Sequence, residues 1–190
     1  MDINKHRYYL MQVLLAVYRH PELSKLLAFK GGTSLMLFHG LTRFSTDLDF
    51  NLLDADKTEL VYHELRSLLL KFGTIDDEAM KFFGPILVLN YGKGERITPR
   101  DIYDVWFFLQ HRVEINEEII RIRTQKSVSE YAQECAEKVR NFSPRALMQG
   151  LGEVLMDNKS KNFARKELIT ETASGLDLFA AFPLIAAKQD

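Results

Sequence analysis

Two short stretches of the sequence, FKGGTSL at 29–35 and RFSTDLDF at 43–50, decide what kind of fold this chain can adopt. The first contains two consecutive glycines ahead of a short apolar segment. The second opens an alternation of polar and apolar residues over 46–53, with Asp47 and Asp49 on the polar side. A period of two is typical of a strand with one buried face. The pattern therefore predicts a strand that carries two carboxylates, close in sequence to a helix that follows two glycines.

The two acids suggest a metal site. Residues two apart on a strand project from the same face, with Cα atoms about 7 Å apart. Two carboxylates there can converge on Mg²⁺ or Mn²⁺, because such ions prefer hard oxygen ligands and Mg²⁺ keeps water or phosphate in its other positions. Leu48, between the acids, would anchor the strand to the core. Asp47 and Asp49 are therefore candidate metal ligands, and a solvated strand face is the alternative interpretation.

The glycines suggest a phosphate site. Gly31 and Gly32 have no Cβ, so a phosphate can approach the backbone closely, and the amides that follow can donate to its oxygens together with the hydroxyl of Thr33 or Ser34. The alternative is an ordinary turn in which Thr33 or Ser34 caps a helix over 33–39 that ends at Gly40. A phosphate cradle beside a pair of carboxylates is what nucleotidyl transfer requires.

The composition is that of a folded domain without an overall preference for nucleic acid. Of the 190 residues 46% are hydrophobic, and 25 Lys and Arg nearly balance 26 Asp and Glu. Such a chain can bury a core, whereas a general nucleic-acid coat protein would be strongly basic. The single cysteine, Cys135, cannot form an internal disulfide, so we expect a cytoplasmic protein. The apolar stretch 178–187 is well short of the roughly 20 residues that span a bilayer, and no membrane association is expected.

Most of the remaining chain has the periodicity of helices. Apolar residues three and four apart from Leu10 to Val17 predict the first helix, and Thr98 and Pro99 are typical of a helix start. Predicted helices cover 8–18, 21–28, 33–39, 57–72, a segment beginning at 99, 116–126, 129–139, 144–156 and 177–187, and a short buried strand is predicted at 85–89. We therefore expect an α/β core over 1–96 and a helical C-terminal region over 97–190.

Three segments carry a family resemblance: 29–35, 40–50 and the run Arg100-Asp101-Ile102-Tyr103-Asp104. Together they resemble the AbiEii/AbiGii nucleotidyltransferase toxin family, whose second landmark is an Arg-Asp-x-Tyr-Asp helix. The resemblance implies an α+β fold of the DNA-polymerase-β-like nucleotidyltransferase type, in which a mixed sheet with flanking helices precedes a helical region. It also implies Mg²⁺, a nucleoside triphosphate, an RNA acceptor (tRNA in some relatives), a cognate antitoxin, and a bacterial toxin–antitoxin or abortive-infection phage-defence role.

The resemblance also assigns site residues. Asp101 and Asp104 are three apart on one helix face, and the alternative for Asp101 is stabilisation of the first helical turn. The guanidinium of Arg43 suits bidentate contact with phosphate, and the alternative is an ordinary surface arginine. The catalytic and metal-binding candidates are Asp47 and Asp49, and the nucleotide-binding candidates are Lys30, Gly31, Gly32, Thr33, Ser34, Arg43, Ser45, Asp101 and Asp104.

The chain departs from the family ahead of the Arg-Asp-x-Tyr-Asp helix. The family has there a further strand with an acidic residue and then a helix with a lysine, whereas only 91–98 join the predicted strand to Pro99 in this chain. Neither the third carboxylate nor the lysine has an obvious counterpart. The alternative function is therefore a non-catalytic nucleotide-binding or protein-interaction module that keeps the fold.

Overall fold

The computed structural model describes residues 3–75 and 97–186, which belong to two compact units. The first unit contains the described residues 3–75, and the second contains 97–186. The predicted strand at 85–89, and 91–96 of the short connection, lie outside the described residues. The predicted boundary between 96 and 97 stays a prediction.

The first unit combines helices with a small antiparallel sheet. Its elements are α1 (Ile3–Arg19), α2 (Leu23–Leu26), β1 (Leu27–Lys30), α3 (Gly31–Phe38), β2 (Asp49–Leu52), a 3₁₀ turn (Ala55–Lys57) and α4 (Thr58–Leu69). Among the described residues β1 and β2 pair from Leu27↔Leu52 to Lys30↔Asp49. Because helix and strand occur together, the unit is consistent with the predicted α+β class.

The strand that carries the acids is shorter than predicted. We expected it to span 46–53, but β2 begins at Asp49, so Asp47 precedes it. The reason lies in the partner strand: β1 has four residues and turns into α3 at Gly31, so the ladder between β1 and β2 ends at the pair Lys30↔Asp49. The predicted helix over 21–28 ends at Leu26 for a related reason, since the chain then extends into β1.

One face of the sheet packs on a core between the helices. Phe50 and Leu52 of β2 pack against buried residues of α1, α2, β1 and α4, and the rings of Phe29 and Phe50 lie 5.3 Å apart. The buried members of this cluster are Val17, Leu23, Leu27, Val61 and Leu68. Strand alternation then places Lys30, Asp49 and Asn51 on the opposite face. The prediction that this strand has one apolar and one polar face is confirmed over 49–52. The prediction that its polar face carries both carboxylates is wrong, because Asp47 precedes the strand.

Helix α3 begins earlier than its sequence suggests. It starts at Gly31, with Lys30 as its N-cap residue, so the prediction that Thr33 or Ser34 caps it is wrong. Gly31 has a φ of +75°, which turns the chain directly from β1 into the helix. At the other end Gly40 has the same φ, and Leu41 donates its N–H to the carbonyl of Leu35. The prediction that Gly40 ends this helix is confirmed.

The second unit is helical throughout its described residues, apart from one isolated bridge between Ile115 and Ile185. Its helices are α5 (Pro99–Gln110), α6 (Glu117–Thr124), α7 (Val128–Arg140), α8 (Pro144–Leu151), α9 (Asn158–Lys166) and α10 (Leu168–Ala181), with α10 packed on α5 and α7. The predicted helix over 177–187 is wrong in its limits, and α9 was not predicted. Its sequence NKSKNFARK contains only two apolar residues, Phe163 and Ala164, so the cap at Asp157 is its main local signal.

Two further findings bear on function. Cys135 lies buried in α7, where desolvation raises the pKa of its thiol to about 11 and keeps it protonated. In the part of the chain that the structure describes, no helix is both long enough and apolar enough to cross a bilayer.

Candidate functional site

The carboxylate of Asp49 lies directly against the first glycine of α3. A Cβ built on Gly31 would lie 2.3 Å from Oδ2 of Asp49, so no side chain fits there unless the carboxylate moves. The φ of +75° at Gly31 is a second reason for glycine, because other residues rarely adopt it. The contact brings the Asp49 carboxylate to the start of α3, where the helix dipole favours negative charge. Lys30 pairs with Asp49 in the strand register and shares its sheet face.

The second glycine makes room for two buried polar side chains. A Cβ on Gly32 would lie 2.7 Å from Nη2 of Arg43 and 2.8 Å from Oγ of Ser45. Arg43 is 4% exposed, and its Nη1 donates to the carbonyl of Phe44 at 3.3 Å. The interpretation of Arg43 as a surface arginine is therefore wrong: its guanidinium lies beneath the start of α3. Contact of Arg43 or Ser45 with a phosphate stays a prediction.

Thr33 connects α3 to the segment that carries Asp47. Its side chain is 1% exposed, and its Oγ1 donates to the backbone carbonyl of Asp47. The carboxylate of Asp47 is exposed and accepts a hydrogen bond from Oγ1 of Thr46 at 3.1 Å. Ser34, the next residue of α3, is half-buried. Through Gly31 and Thr33, both acids are therefore attached to the first turn of one helix.

A residue that the sequence reasoning passed over completes this arrangement. His6, on α1, donates through Nε2 to the carbonyl of Thr46 at 2.9 Å, and its ring lies edge-on to Phe44. One signal was present: His6 precedes Leu10 by four residues and so extends the apolar face of α1 by one turn. Its partner lies 40 positions away, which no local pattern reveals.

Asp47 and Asp49 offer suitable oxygen donors for a hard divalent cation. Both side chains are exposed and can exchange water for an ion. Among residues 3–75 and 97–186, no group of three or more His, Cys, Asp and Glu side chains is arranged to hold a metal. Two carboxylates supply only part of a coordination shell, and Mg²⁺ commonly takes the remainder from water and phosphate. On those terms the donor set fits Mg²⁺ or Mn²⁺.

The last two candidates belong to the second unit. Asp101 accepts the N–H of Thr98 at 2.8 Å, and Thr98 accepts the N–H of Asp101, which is a complete capping box on α5. The interpretation of Asp101 as a residue that stabilises the first turn is thus confirmed. Asp104 is half-buried one turn later on the same helix. Nucleotide contact by either residue stays a prediction.

Comparison with known proteins adds one match. Residues 12–85 match the family model described as nucleotidyl transferase AbiEii toxin, type IV TA system, which confirms the resemblance seen in the sequence. The matched segment contains both glycines and both acids of the site, and it ends before the capping box of α5. No curated protein and no solved structure matches the chain.

Proposed function

We propose that this chain, whose residues 12–85 match the AbiEii toxin model, is a toxin nucleotidyltransferase that transfers a nucleotide from a nucleoside triphosphate to RNA. The observation that carries the proposal is the contact between Asp49 and Gly31 at the start of α3. It places an acid of the Asp-x-Asp pair beside helix amides that can bind phosphate. An exposed strand face without function would not require a carboxylate to lie so close to the first glycine of a helix.

The residues have distinct roles in this proposal. Asp47 and Asp49 hold Mg²⁺ or Mn²⁺, and the amides of the first turn of α3, from Gly31 to Ser34, bind the phosphates. The bound metal ion supplies positive charge to the triphosphate. The hydroxyl of the acceptor loses its proton to solvent and attacks the α-phosphorus in line, the bond from that phosphorus to the bridging oxygen breaks, and pyrophosphate leaves. Lys30, on the same sheet face as Asp49, adds positive charge near the phosphates.

The charge of α9 supports RNA as the acceptor. This helix carries four cations and no acid in nine residues: Lys159, Lys161, Arg165 and Lys166. None of them lies within ion-pair distance of a carboxylate in the described part of the chain, whereas Lys138 and Arg140 of α7 are both paired. An excess of cations over carboxylates on one helix favours binding of a phosphate backbone. The description of the family as part of a type IV system supports a cognate antitoxin as a partner. We propose in addition a role in phage defence in the bacterial cytoplasm.

The test is the transfer of label from α-³²P nucleoside triphosphates to total RNA, with Mg²⁺, with Mn²⁺ and with EDTA. We expect labelled RNA only when metal is present. Asp47→Asn and Asp49→Asn should each reduce transfer on the order of 10²–10³-fold. Asp56→Asn is the matched control, because Asp56 is an exposed acid in the 3₁₀ turn that follows β2. Full transfer by both site variants would refute the assignment.

A second candidate function is a nucleotide-binding module without transfer activity. The observation that favours it is that no third acidic or histidine ligand joins Asp47 and Asp49 among the described residues. This candidate predicts metal-dependent binding of a nucleoside triphosphate, measured by equilibrium dialysis, with no labelled RNA. Absence of both binding and transfer would contradict both candidates.

A further inference from the structure

Side chains from two helices hold the segment that carries Asp47, which lies ahead of the residues that pair with β1. Residues 44–48 have no regular secondary structure, and the ladder with β1 begins only at Asp49. Two successive carbonyls in this segment nevertheless accept hydrogen bonds from two different helices. The carbonyl of Thr46 accepts Nε2–H of His6 from α1, and the carbonyl of Asp47 accepts the hydroxyl of Thr33 from α3.

These two hydrogen bonds lie on the two sides of one Cα atom. The carbonyl of Thr46 belongs to the peptide plane that precedes the Cα of Asp47, and the carbonyl of Asp47 belongs to the plane that follows it. Each peptide is planar, so the backbone at Asp47 retains only φ and ψ as soft rotations. Anchoring both planes restricts both rotations, and with them the direction in which the carboxylate leaves the backbone.

We propose that His6 and Thr33 are positioning residues for Asp47, which fix the direction of its carboxylate so that it binds a divalent cation together with Asp49. The inference rests on the proposed function and deepens it. Asp49 needs no such support, because the strand ladder and the contact with Gly31 already fix it. The hydroxyl of Thr33 donates to the Asp47 carbonyl, so Thr33 acts on the site through the backbone of Asp47.

The first experiment measures the affinity of the intact chain for Mn²⁺ alone by electron paramagnetic resonance. Thr33→Val removes the hydroxyl at nearly constant volume, and Thr33→Ser retains it. His6→Phe retains a ring against Phe44 but removes the donor. Loss of an outer partner of a metal ligand typically weakens metal binding 10–100-fold. We expect a loss of about 10-fold in Thr33→Val and in His6→Phe, with rescue in Thr33→Ser.

The matched control is Thr172→Val in the second unit. Thr172 is fully buried and its hydroxyl also donates to a backbone carbonyl, that of Leu168, at 2.7 Å. It therefore tests the general effect of replacing a buried threonine, and we expect unchanged Mn²⁺ affinity. If Thr33→Val and His6→Phe bind Mn²⁺ as the parent does, the inference is overturned while the proposed metal site stands.

The second experiment is independent of any ligand. Order parameters from ¹⁵N relaxation report how rigidly the amides of Asp47 and Leu48 are held, with values near 0.85 for rigid backbone and below about 0.6 for flexible backbone. We expect rigid values in the parent and in Thr33→Ser, and clearly lower values in Thr33→Val and His6→Phe. Unchanged values would overturn the inference. If the parent binds no Mn²⁺, the proposed function fails, and the order parameters still decide whether these residues fix Asp47.

Discussion

The contact between Gly31 and Asp49 can be tested by its effect on stability, because the chain contains a matched control. Gly31 and Gly40 both have a φ of +75°, but a Cβ at Gly40 meets nothing within 4 Å, whereas one at Gly31 would lie 2.3 Å from Oδ2 of Asp49. Alanine at either position therefore incurs the same backbone strain. Only Gly31→Ala adds a collision with the carboxylate.

The expected free energies follow from these two terms. A left-handed backbone costs a residue with a Cβ roughly 1–2 kcal/mol, so Gly40→Ala should lower the free energy of unfolding by that amount. Overpacking a filled site typically costs about 1–3 kcal/mol more, and this excess should appear in Gly31→Ala alone. In an Asp49→Ala background Oδ2 is absent, and the excess should largely disappear. The remaining contact is with the Cβ of residue 49, at 3.1 Å.

The assay must report on the first unit by itself. Native-state hydrogen exchange with increasing urea, read by mass spectrometry on peptides from 3–75, gives the free energy of unfolding of that unit. The reasoning is refuted if Gly31→Ala destabilises the unit no more than Gly40→Ala. It is also refuted if the excess persists unchanged when Asp49 is alanine, since the collision would then not involve the carboxylate.

Two predictions concern the second unit, and urea unfolding followed by the fluorescence of the single tryptophan checks both. Thr98→Ala and Asp101→Ala should each destabilise the unit by about 1 kcal/mol. The double variant should lose less stability than the sum of the two, because both substitutions break the same capping box. Additive losses would contradict this prediction. Lys126 and Lys138 lower the pKa of the Glu134 carboxyl below its usual 4.5. The stability that this carboxylate contributes is therefore present above pH 4.5 and is lost as the pH falls through the folded-state pKa. Glu134→Gln should reduce the loss of stability at acidic pH. The same dependence of unfolding free energy on pH in the variant and the parent would show that Glu134 contributes nothing.

The local features of the site could be predicted from the sequence because they depend on neighbouring residues. Gly40 ends α3 by adopting a conformation that glycine tolerates, and Thr98 with Asp101 forms a cap within four residues. The alternation around Asp49 likewise indicated which strand face meets the core. Such patterns express steric and hydrogen-bonding preferences of the chain itself, so they do not require knowledge of the tertiary fold.

The limits of the acidic strand could not be predicted in this way. The alternation extends back to residue 46, yet a strand exists only where a partner offers backbone groups, and β1 turns into α3 at Gly31. The helix predicted over 33–39 begins two residues early, because β1 ends at Lys30 and Gly31 turns the chain directly into α3. The end of one element was thus determined by the geometry of its neighbour.

The sequence by itself determined that the candidate site contains the two glycines and the two acids, and that one face of the strand is polar. Tertiary structure alone decided how these residues meet. In the folded chain Arg43 is buried beneath Gly32, and the carboxylate of Asp49 lies against Gly31. His6 donates a hydrogen bond to the carbonyl of Thr46, 40 positions away in the sequence and next to Asp47. The physical reason is that hydrogen bonds and steric contacts between distant residues depend on how helices and strands pack, and packing is not encoded in any short window of sequence.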